Sequence, residues 1–303
     1  MGRGLRDEIV YPLSRHGLYR VSRNASIEIH DGEHPFSNMG SPICRMVADA
    51  VHVLDAIVGY DARDAAATRR SSKYIPRGGY MQFLNMDGLK GKRIGVPNGF
   101  FNFPNGTVQQ TFTSHVLEGT QGAILIENLD IENLDIIIDN LNNGQQIALL
   151  AEFKLSLNSY LLDLSYSPVR SLAEIIAFNN AHPVEERLKE IGHIILLAAE
   201  NTTGIGAPER AAIRQLKKLS ANGLEKLMKE HKLDAIVMPN ADASSALAIG
   251  GMPGISVPAG YGKMGVPFGL CFGGLRGYEP RLIEMAYAFE QNTKVRKAPM
   301  FMP

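Results

Sequence analysis

Short apolar runs, broken at close intervals by glycine and proline, fill the segment from Leu247 to Gly274. Large and small residues alternate along it, the large ones being Ile255, Val257, Val266, Phe268, Leu270 and Phe272. A period of two places large side chains on one face of a β-strand, while glycine lets another element approach the opposite face. The segment therefore predicts two strands in a buried sheet, an arrangement that suits the floor of a substrate pocket.

Three prolines restrict how these two strands can pair. Pro253, Pro258 and Pro267 have no backbone N–H and cannot donate to a sheet ladder. We therefore expect them at strand starts or strand edges, where they fix the loop that opens the site.

The residues that follow Ser41 predict a helix that faces the core. Ser41 is a suitable N-cap, Pro42 suits the first helical position, and Gly59 marks the end. Apolar residues recur at helical spacing between them: Ile43, Val47, Ala50, Leu54 and Ile57.

A βαβ unit is predicted next, with strands at residues 92–97 and 123–129 and a helix at 108–117. The pentapeptide Glu-Asn-Leu-Asp-Ile occurs twice in succession, at residues 127–131 and 132–136. Two short copies are too few for a repeat architecture. They indicate an insertion near a strand, which leaves the local strand register open.

The remaining chain alternates predicted helices with one more strand. Helices are expected at residues 146–164, 183–200, 208–229 and 279–291, and a short buried strand at 235–238. The fold class is therefore α/β, with a mixed β-sheet flanked by helices.

Several quoted segments together resemble the amidase signature hydrolases, most closely the plant and fungal amidases that are related to one of the subunits of glutamyl-tRNA amidotransferase. They are SPICRMVADAVHVLDAIVGYD from Ser41, GLKGKRIGVP from Gly88, ALLAEFKLSLNSYL from Ala148, LAAENTTGIG from Leu197, HKLDAIVMPNADAS from His231 and the C-terminal FEQNTKVRK. The resemblance implies the C-terminal part of an amidase signature fold and a small-molecule amide as substrate. It implies hydrolysis of linear amide C–N bonds by serine acyl transfer, without a cofactor.

The resemblance also implies which groups perform that hydrolysis: a serine nucleophile in a Gly/Ser-rich segment, a relay serine on a cis peptide, and a lysine base. None has a counterpart here, because in the family they precede the position of Ser41, where this chain has residues 1–40. We therefore expect a truncated amidase domain at 41–303 without catalytic residues, a pseudoenzyme. The alternatives are an active amide hydrolase and a noncatalytic binding or partner-assembled fragment.

Ser71, Ser72 and Lys73 have the residue types of the family's catalytic set but not its geometry. Neighbouring residues on an extended segment point to opposite faces, so these side chains could not form one relay. We interpret them as a surface loop.

Cys271 is the other candidate nucleophile. A reactive cysteine needs a nearby base and a lowered pKa, and the sequence around Cys271 is apolar. We expect Cys44 and Cys271 to be buried structural thiols in a reducing compartment.

A metal site at His30 and His34 is disfavoured, because Gly32 and Pro35 predict a loop and no further ligands are evident. No metal or cofactor site is predicted in the chain.

Charge and composition exclude several partners. The 31 basic and 31 acidic residues give zero net charge, so neither nucleic acid nor an anionic membrane is an expected partner. No signal peptide or membrane-spanning run is evident, which predicts a cytoplasmic protein. Residues 1–40 are expected to form a poorly ordered extension, and an exposed sheet edge could permit self-association.

Overall fold

The computed structural model describes residues 10–11, 42–60, 69, 72–101, 120, 122–139, 141–240, 242–262, 265 and 267–297. Their sheet has the strand order β1-β5-β6-β4-β2-β3. The strands are β1 (Val10–Tyr11), β2 (Arg93–Pro97), β3 (Ile124–Leu129), β4 (Ala235–Pro239), β5 (Gly254–Tyr261) and β6 (Pro267–Gly273). Because β2 runs parallel to β3 and β4 while the remaining pairs are antiparallel, the sheet is mixed, as predicted.

Helices cover both faces of this sheet. They are α1 (Val47–Ile57), α2 (Leu134–Ile138), α3 (Gln145–Asp163), α4 (Leu172–Ala181), α5 (Ile194–Glu200), α6 (Ala207–Ser220), α7 (Lys226–Glu230), α8 (Ser244–Gly250) and α9 (Glu279–Thr293). A π-helical turn, Ala221–Glu225, joins α6 to α7 and kinks at Gly223.

The alternation of large and small residues on β5 and β6 is confirmed. Their large side chains enter one core together with α1 and α9: Ile255, Val257, Phe268, Leu270 and Phe272. On the opposite face, a Cβ at Gly273 would lie 2.8 Å from a methyl group of Leu247. Glycine is therefore required where α8 packs against the sheet.

The prolines follow the prediction. Pro253 precedes β5, Pro267 begins β6, and Pro258 lies on a stretch of β5 with no described neighbour on the side away from β6, because β1 pairs only with Gly254 and Ile255. The register shifts between Pro258 and Gly260, and such an irregularity tolerates a missing N–H. Helices cover both faces of β5 and β6, so these strands lie inside a layered core, and their place on the floor of a substrate pocket stays a prediction.

Helix α1 begins later than predicted. It starts at Val47, whereas Ser41 and Pro42 were expected to begin it, and Ile43 is 72% exposed. The Glu290 carboxylate accepts a hydrogen bond from the Val47 backbone N–H at 3.0 Å. A side chain from α9, distant in sequence, therefore satisfies the free donor at the start of the helix. The predicted apolar stripe is confirmed at Val47, Ala50 and Leu54.

The duplicated pentapeptide produces the irregular register that the sequence suggested. Its first copy ends β3 and its second copy enters α2, so the same five residues occur in two secondary structures. Asn128 and Asn133 occupy equivalent positions in the copies and both have left-handed backbones, with φ of 57° and 59°. The β2–β3 pairing shifts register between Gly95 and Pro97, opposite the first copy. The predicted crossover helix at 108–117 lies outside the described residues.

The helix predicted at 183–200 is wrong in its first half, where the structure has turns up to residue 191. Gly192, with φ of 66°, and Arg187, with φ of 52°, interrupt a continuous helix. Helices α4 and α8 were not predicted. The helices at 146–164, 208–229 and 279–291 and the strand at 235–238 are confirmed within a few residues, with the kink at Gly223 unforeseen.

Of the predicted N-terminal extension, the structure describes Val10–Tyr11, which pairs antiparallel with the start of β5. The division of the chain at residue 40 therefore stays a prediction.

A close contact between α9 and Gly88, in the turn before β2, tests how that turn packs against the helix. A Cβ at Gly88 would lie 2.2 Å from the backbone carbonyl oxygen of Glu284, which cannot move without shifting α9. We expect Gly88→Ala to lower the free energy of unfolding by about 1–3 kcal/mol in urea denaturation. Gly206→Ala is the control, because the nearest atom to its Cβ is a mobile Glu209 carboxylate oxygen. Equal stability of the two variants would contradict this packing.

Candidate functional site

Polar side chains collect where the parallel strands end. Strands β2, β3 and β4 run in one direction, so their carboxyl ends meet at one edge of the sheet. In open α/β sheets, ligands bind in the crevice outside this edge. The residues that follow the three strands include Asn98, Asp130, Asn240 and Asp242, which we call the carboxyl edge.

Asn240 fixes the loop after β4 to the neighbouring strand. The Asn240 backbone N–H donates to the Gly269 carbonyl oxygen at 2.8 Å, and the Gly269 N–H donates to Asn240 Oδ1 at 3.0 Å. Ser256 Oγ donates to the Asn240 carbonyl oxygen at 3.4 Å. The Asn240 backbone is left-handed, with φ of 48°, a conformation that asparagine tolerates better than most residues. These bonds tie the start of the loop to both β6 and β5.

Two carboxylates complete the carboxyl edge. Asn98 Nδ2 donates to Asp130 Oδ1 at 2.8 Å, which joins the ends of β2 and β3. Partial burial raises the pKa of the Asp242 carboxyl above its usual value. This edge therefore offers amide and carboxylate groups that can bind and orient a polar ligand.

A second group of titratable residues lies at the other end of the sheet, after β6. Glu279 begins α9 and is 7% exposed. Burial raises its pKa to about 7, and hydrogen bonds from backbone N–H groups, including that of Gly277, lower it by less. Burial also raises the pKa of the fully buried Tyr80, and the charges of Glu279 and Asp55 raise it further. Tyr80 Oη and Glu279 Oε2 have no hydrogen-bond partner in the described part of the protein.

Asp55, next to these buried groups, has a structural role. The Asp55 carboxylate accepts hydrogen bonds from the backbone N–H groups of Tyr80 and Met81, at 2.6 and 3.1 Å. It thereby fixes a short 3₁₀ turn, Met81–Phe83, between α1 and α9. Because β6 runs antiparallel to β4, Glu279 lies at the opposite end of the sheet from the carboxyl edge.

Ser72 and Lys73, two of the residues considered from the sequence as a catalytic set, each make another interaction. Ser72 Oγ donates to the Arg69 carbonyl oxygen at 2.9 Å, and Lys73 Nζ lies 4.8 Å from the centre of the Tyr74 ring. The segment is a 3₁₀ turn, Ser72–Tyr74, whereas an extended conformation was assumed. Ser71 lies outside the described residues.

Cys271 is a buried structural thiol, as predicted. Burial raises its pKa to about 11, and hydrogen bonds with Ser256 and Ile255 lower it by less. The thiolate is therefore scarce at neutral pH, and thiolate is the nucleophilic form. Cys44 is only partly buried, and neither cysteine forms a disulfide.

His30 and His34 lie outside the described residues. Within the described part of the chain, no group of three or more His, Cys, Asp or Glu side chains could hold a metal ion. No helix in that same part is both long and apolar enough to cross a membrane.

The carboxyl edge was missed by the sequence analysis, which assigned no site residues. The available signal was the run Pro-Asn-Ala-Asp directly after the buried strand at 235–238. Polar residues that follow a buried parallel strand indicate a ligand site, but the run alone does not show which strands are parallel.

Comparison with known proteins places the chain in a family. It is 48% identical over 299 residues to a probable amidase of Arabidopsis thaliana, matching 97% of this chain and 56% of that protein. An amidase family protein from Bacillus anthracis has the same fold, with a TM-score of 0.81 and 31% identity over 98% of this chain and 55% of that one. The chain belongs to the amidase family.

This membership confirms the resemblance drawn from the sequence. A glutamyl-tRNA(Gln) amidotransferase subunit of Thermoanaerobacter pseudethanolicus is 27% identical over 285 residues, which is 85% of this chain and 55% of that protein. The chain therefore spans about half the length of the amidase relatives it matches. No protein-family model matches the chain.

The buried carboxyl of Glu279 predicts how the stability of this amidase-family chain depends on pH. Its folded-state pKa of about 7 exceeds the unfolded value near 4.3, so the folded state keeps the proton over a wider range. Stability that is fully present below about pH 4.3 is lost as pH rises to about 7, a loss on the order of 3 kcal/mol. We expect Glu279→Gln, which cannot ionise, to flatten this dependence in urea denaturation between pH 5 and pH 8.

The matched control is Glu230→Gln, on an exposed position of α7. It should keep the pH dependence of the parent chain. If Glu279→Gln shows the same pH dependence as the parent, the carboxyl is not held in its protonated form.

A substitution at Asn240 tests whether its side-chain hydrogen bond fixes the loop after β4. We expect Asn240→Ala to lower the free energy of unfolding by about 1–2 kcal/mol, because it removes the acceptor for the Gly269 N–H and places alanine in a left-handed conformation. Asn240→Asp keeps an acceptor oxygen and should lose less. Calorimetric melting checks both variants, and equal losses would show that the side-chain hydrogen bond does not fix the loop.

Proposed function

We propose that this chain supplies the substrate-side part of an amidase and that its 303 residues alone do not hydrolyse amides. The observation that carries the proposal is the lack, in the sequence, of the Gly/Ser-rich segment that bears the family's serine nucleophile. Ser72 and Lys73 do not replace it, because each makes another interaction.

The chemistry of amide hydrolysis supports this division of roles. Serine acyl transfer requires an activated hydroxyl within hydrogen-bond reach of a base, and donors that stabilise the oxyanion. The carboxyl edge instead presents side-chain amides and carboxylates, as in Asn98 and Asp130, which can hold an amide substrate by hydrogen bonds. Binding and orientation do not replace an absent attacking group. In this proposal the chain is a noncatalytic amidase portion, a pseudoenzyme when it is alone.

Membership of the amidase family favours a linear small-molecule amide as the ligand. In a complete amidase that contains this portion, we propose that the reaction is hydrolysis of the C–N bond. That reaction needs neither a metal nor a nucleotide in this proposal. The zero net charge of the chain supports a small-molecule ligand over nucleic acid, and we propose a cytoplasmic location.

Self-association through a sheet edge is also part of the proposal. The exposure of the edge strands indicates how strong it can be. In the described residues the sheet ends at β1, which pairs only with Gly254 and Ile255 of β5, and at β3. On the β3 edge, Ile124 is 48% exposed. Glu127 is exposed on this strand and Asn128 adds the register irregularity, two features that limit edge-to-edge pairing. Association through β3 should therefore be weak.

The proposal predicts that the purified chain releases no ammonia from a panel of small aliphatic and aromatic amides. A fluorophosphonate probe, which labels activated serines, should leave the folded chain unlabelled. The full-length Arabidopsis probable amidase, assayed in parallel, is the positive control for the panel. Ser72→Ala should behave like the parent chain.

Turnover together with labelling would contradict the proposal and establish an active amidase with an unrecognised serine site. Loss of both signals in Ser72→Ala would then identify that serine.

A further inference from the structure

The segment at residues 65–86 carries several basic side chains and no carboxylate. Its cations are Arg69, Arg70, Lys73 and Arg77. Basic and acidic residues are equal in number in the whole chain, so the positive charge of this segment is a local feature. Ser72 lies in the middle of these cations, and the proposed function gives it no role.

Ser72 has the sequence surroundings that serine kinases with an acidic substrate groove select. Arg69 and Arg70 lie three and two positions before it. Such kinases recognise substrates by charge pattern, because basic side chains that precede the serine pair with carboxylates of the groove. One other serine or threonine in the sequence, Ser220, has Lys or Arg at both of these positions, Lys217 and Lys218.

The structure distinguishes the two serines by burial. Ser220 is 3% exposed at the end of α6, where its Oγ would lie 2.5 Å from a Cβ placed at Gly250 of α8. Ser72 begins the 3₁₀ turn Ser72–Tyr74, and no residue of that turn is buried. A kinase can therefore reach Ser72 without opening the core, whereas Ser220 is protected by it.

The turn that holds Ser72 can open locally. The Ser72 hydroxyl donates to the Arg69 carbonyl oxygen at 2.9 Å, and the Ser72 carbonyl oxygen accepts from the Ile75 N–H at 3.2 Å. Kinases bind their substrates as extended segments, so both hydrogen bonds must break. Surface turns open at a much lower free energy than core helices do. The same change at Ser220 would require α6 to unwind.

We propose that Ser72 is a phosphorylation site for a serine kinase that selects basic residues before the serine. Ser72 Oγ attacks the γ-phosphorus of ATP, so that an O–P bond forms while the bond to the leaving ADP breaks. The hydroxyl proton passes to the carboxylate base of the kinase. This inference goes beyond the proposed function and does not depend on it.

The surroundings of Ser72 can accommodate the phosphate. Phosphoserine no longer donates to the Arg69 carbonyl oxygen, and it adds a charge of about −1.5 to −2. Arg69 and Lys73 are exposed on either side of Ser72 and can form charge-assisted hydrogen bonds with the phosphate oxygens. The Tyr74 ring lies against Gly277, where a Cβ would be 2.6 Å away. Phosphorylation therefore lowers the positive charge of the surface beside the turn that leads into α9.

The test is phosphorylation of the folded 303-residue chain by the catalytic subunit of cyclic-AMP-dependent protein kinase, with ATP and magnesium. We expect one phosphate per chain, which mass spectrometry should map to Ser72. Ser72→Ala should lower the incorporation of phosphate at least tenfold. Ser220 should stay unmodified, because it is buried.

Two exposed arginines of the same segment provide a matched pair of variants. Arg69→Ala should lower kcat/KM for phosphorylation at least tenfold, because it removes the cation three positions before Ser72. Arg77→Ala removes a cation after the serine and should change kcat/KM by less than twofold. Circular dichroism checks that both variants fold. If Arg69→Ala does not, Arg69→Gln takes its place with the same expected loss.

Three results would overturn the inference. They are a folded chain that takes up no phosphate, a phosphate that maps to Ser71 or Ser220, and an Arg77→Ala variant that is slowed as strongly as Arg69→Ala. None of these results affects the proposed function, because amide hydrolysis is measured without the kinase.

Discussion

The antiparallel pairing of β5 with β6 is the interaction on which the rest of this structure depends. Seven residue pairs join the two strands, among them Ile255 with Phe272 and Val257 with Leu270. The large side chains pack under α1 and α9, where Phe272 and Phe289 meet edge to face with ring centres 5.9 Å apart. The glycines on the other face let α8 approach, so one strand pair supports two layers of helices.

Other parts of the molecule take their position from this pair. The hydrogen bonds between Gly269 and Asn240 tie the carboxyl edge to β6, while Gly274 and the turn after it lead into α9. Helices α3, α4 and α5 are different, because they share a small core of their own. Their apolar outer surfaces, at Leu162 and Ile194 for example, are exposed at 67% and 80%. Within the described residues, the chain thus combines a buried sheet core with a helical layer that has exposed apolar side chains.

Local patterns of apolar residues in the sequence were enough to predict several elements correctly. The alternation on β5 and β6, the stripe on α1 and the strand before Pro239 are examples. Two features were not evident from local patterns. A contact with the distant Glu290 sets the start of α1, and left-handed backbone at Arg187 and Gly192 interrupts the helix expected at 183–200. The carboxyl edge depends on which strands are parallel, and that requires the whole topology. Family membership was predictable because the resembling segments are spread in order along the chain.

Native-state hydrogen exchange of the isolated chain tests most directly whether this strand pair is the stable centre of the protein. The account predicts the slowest exchange at backbone amides of β4, β5 and β6, such as those of Val237, Ile255 and Phe272, which are buried and paired. Amides of α3, α4 and α5 should exchange faster, through openings that leave the sheet intact. Uniformly fast exchange across β5 and β6, or protection in the helices equal to that in the sheet, would contradict the account.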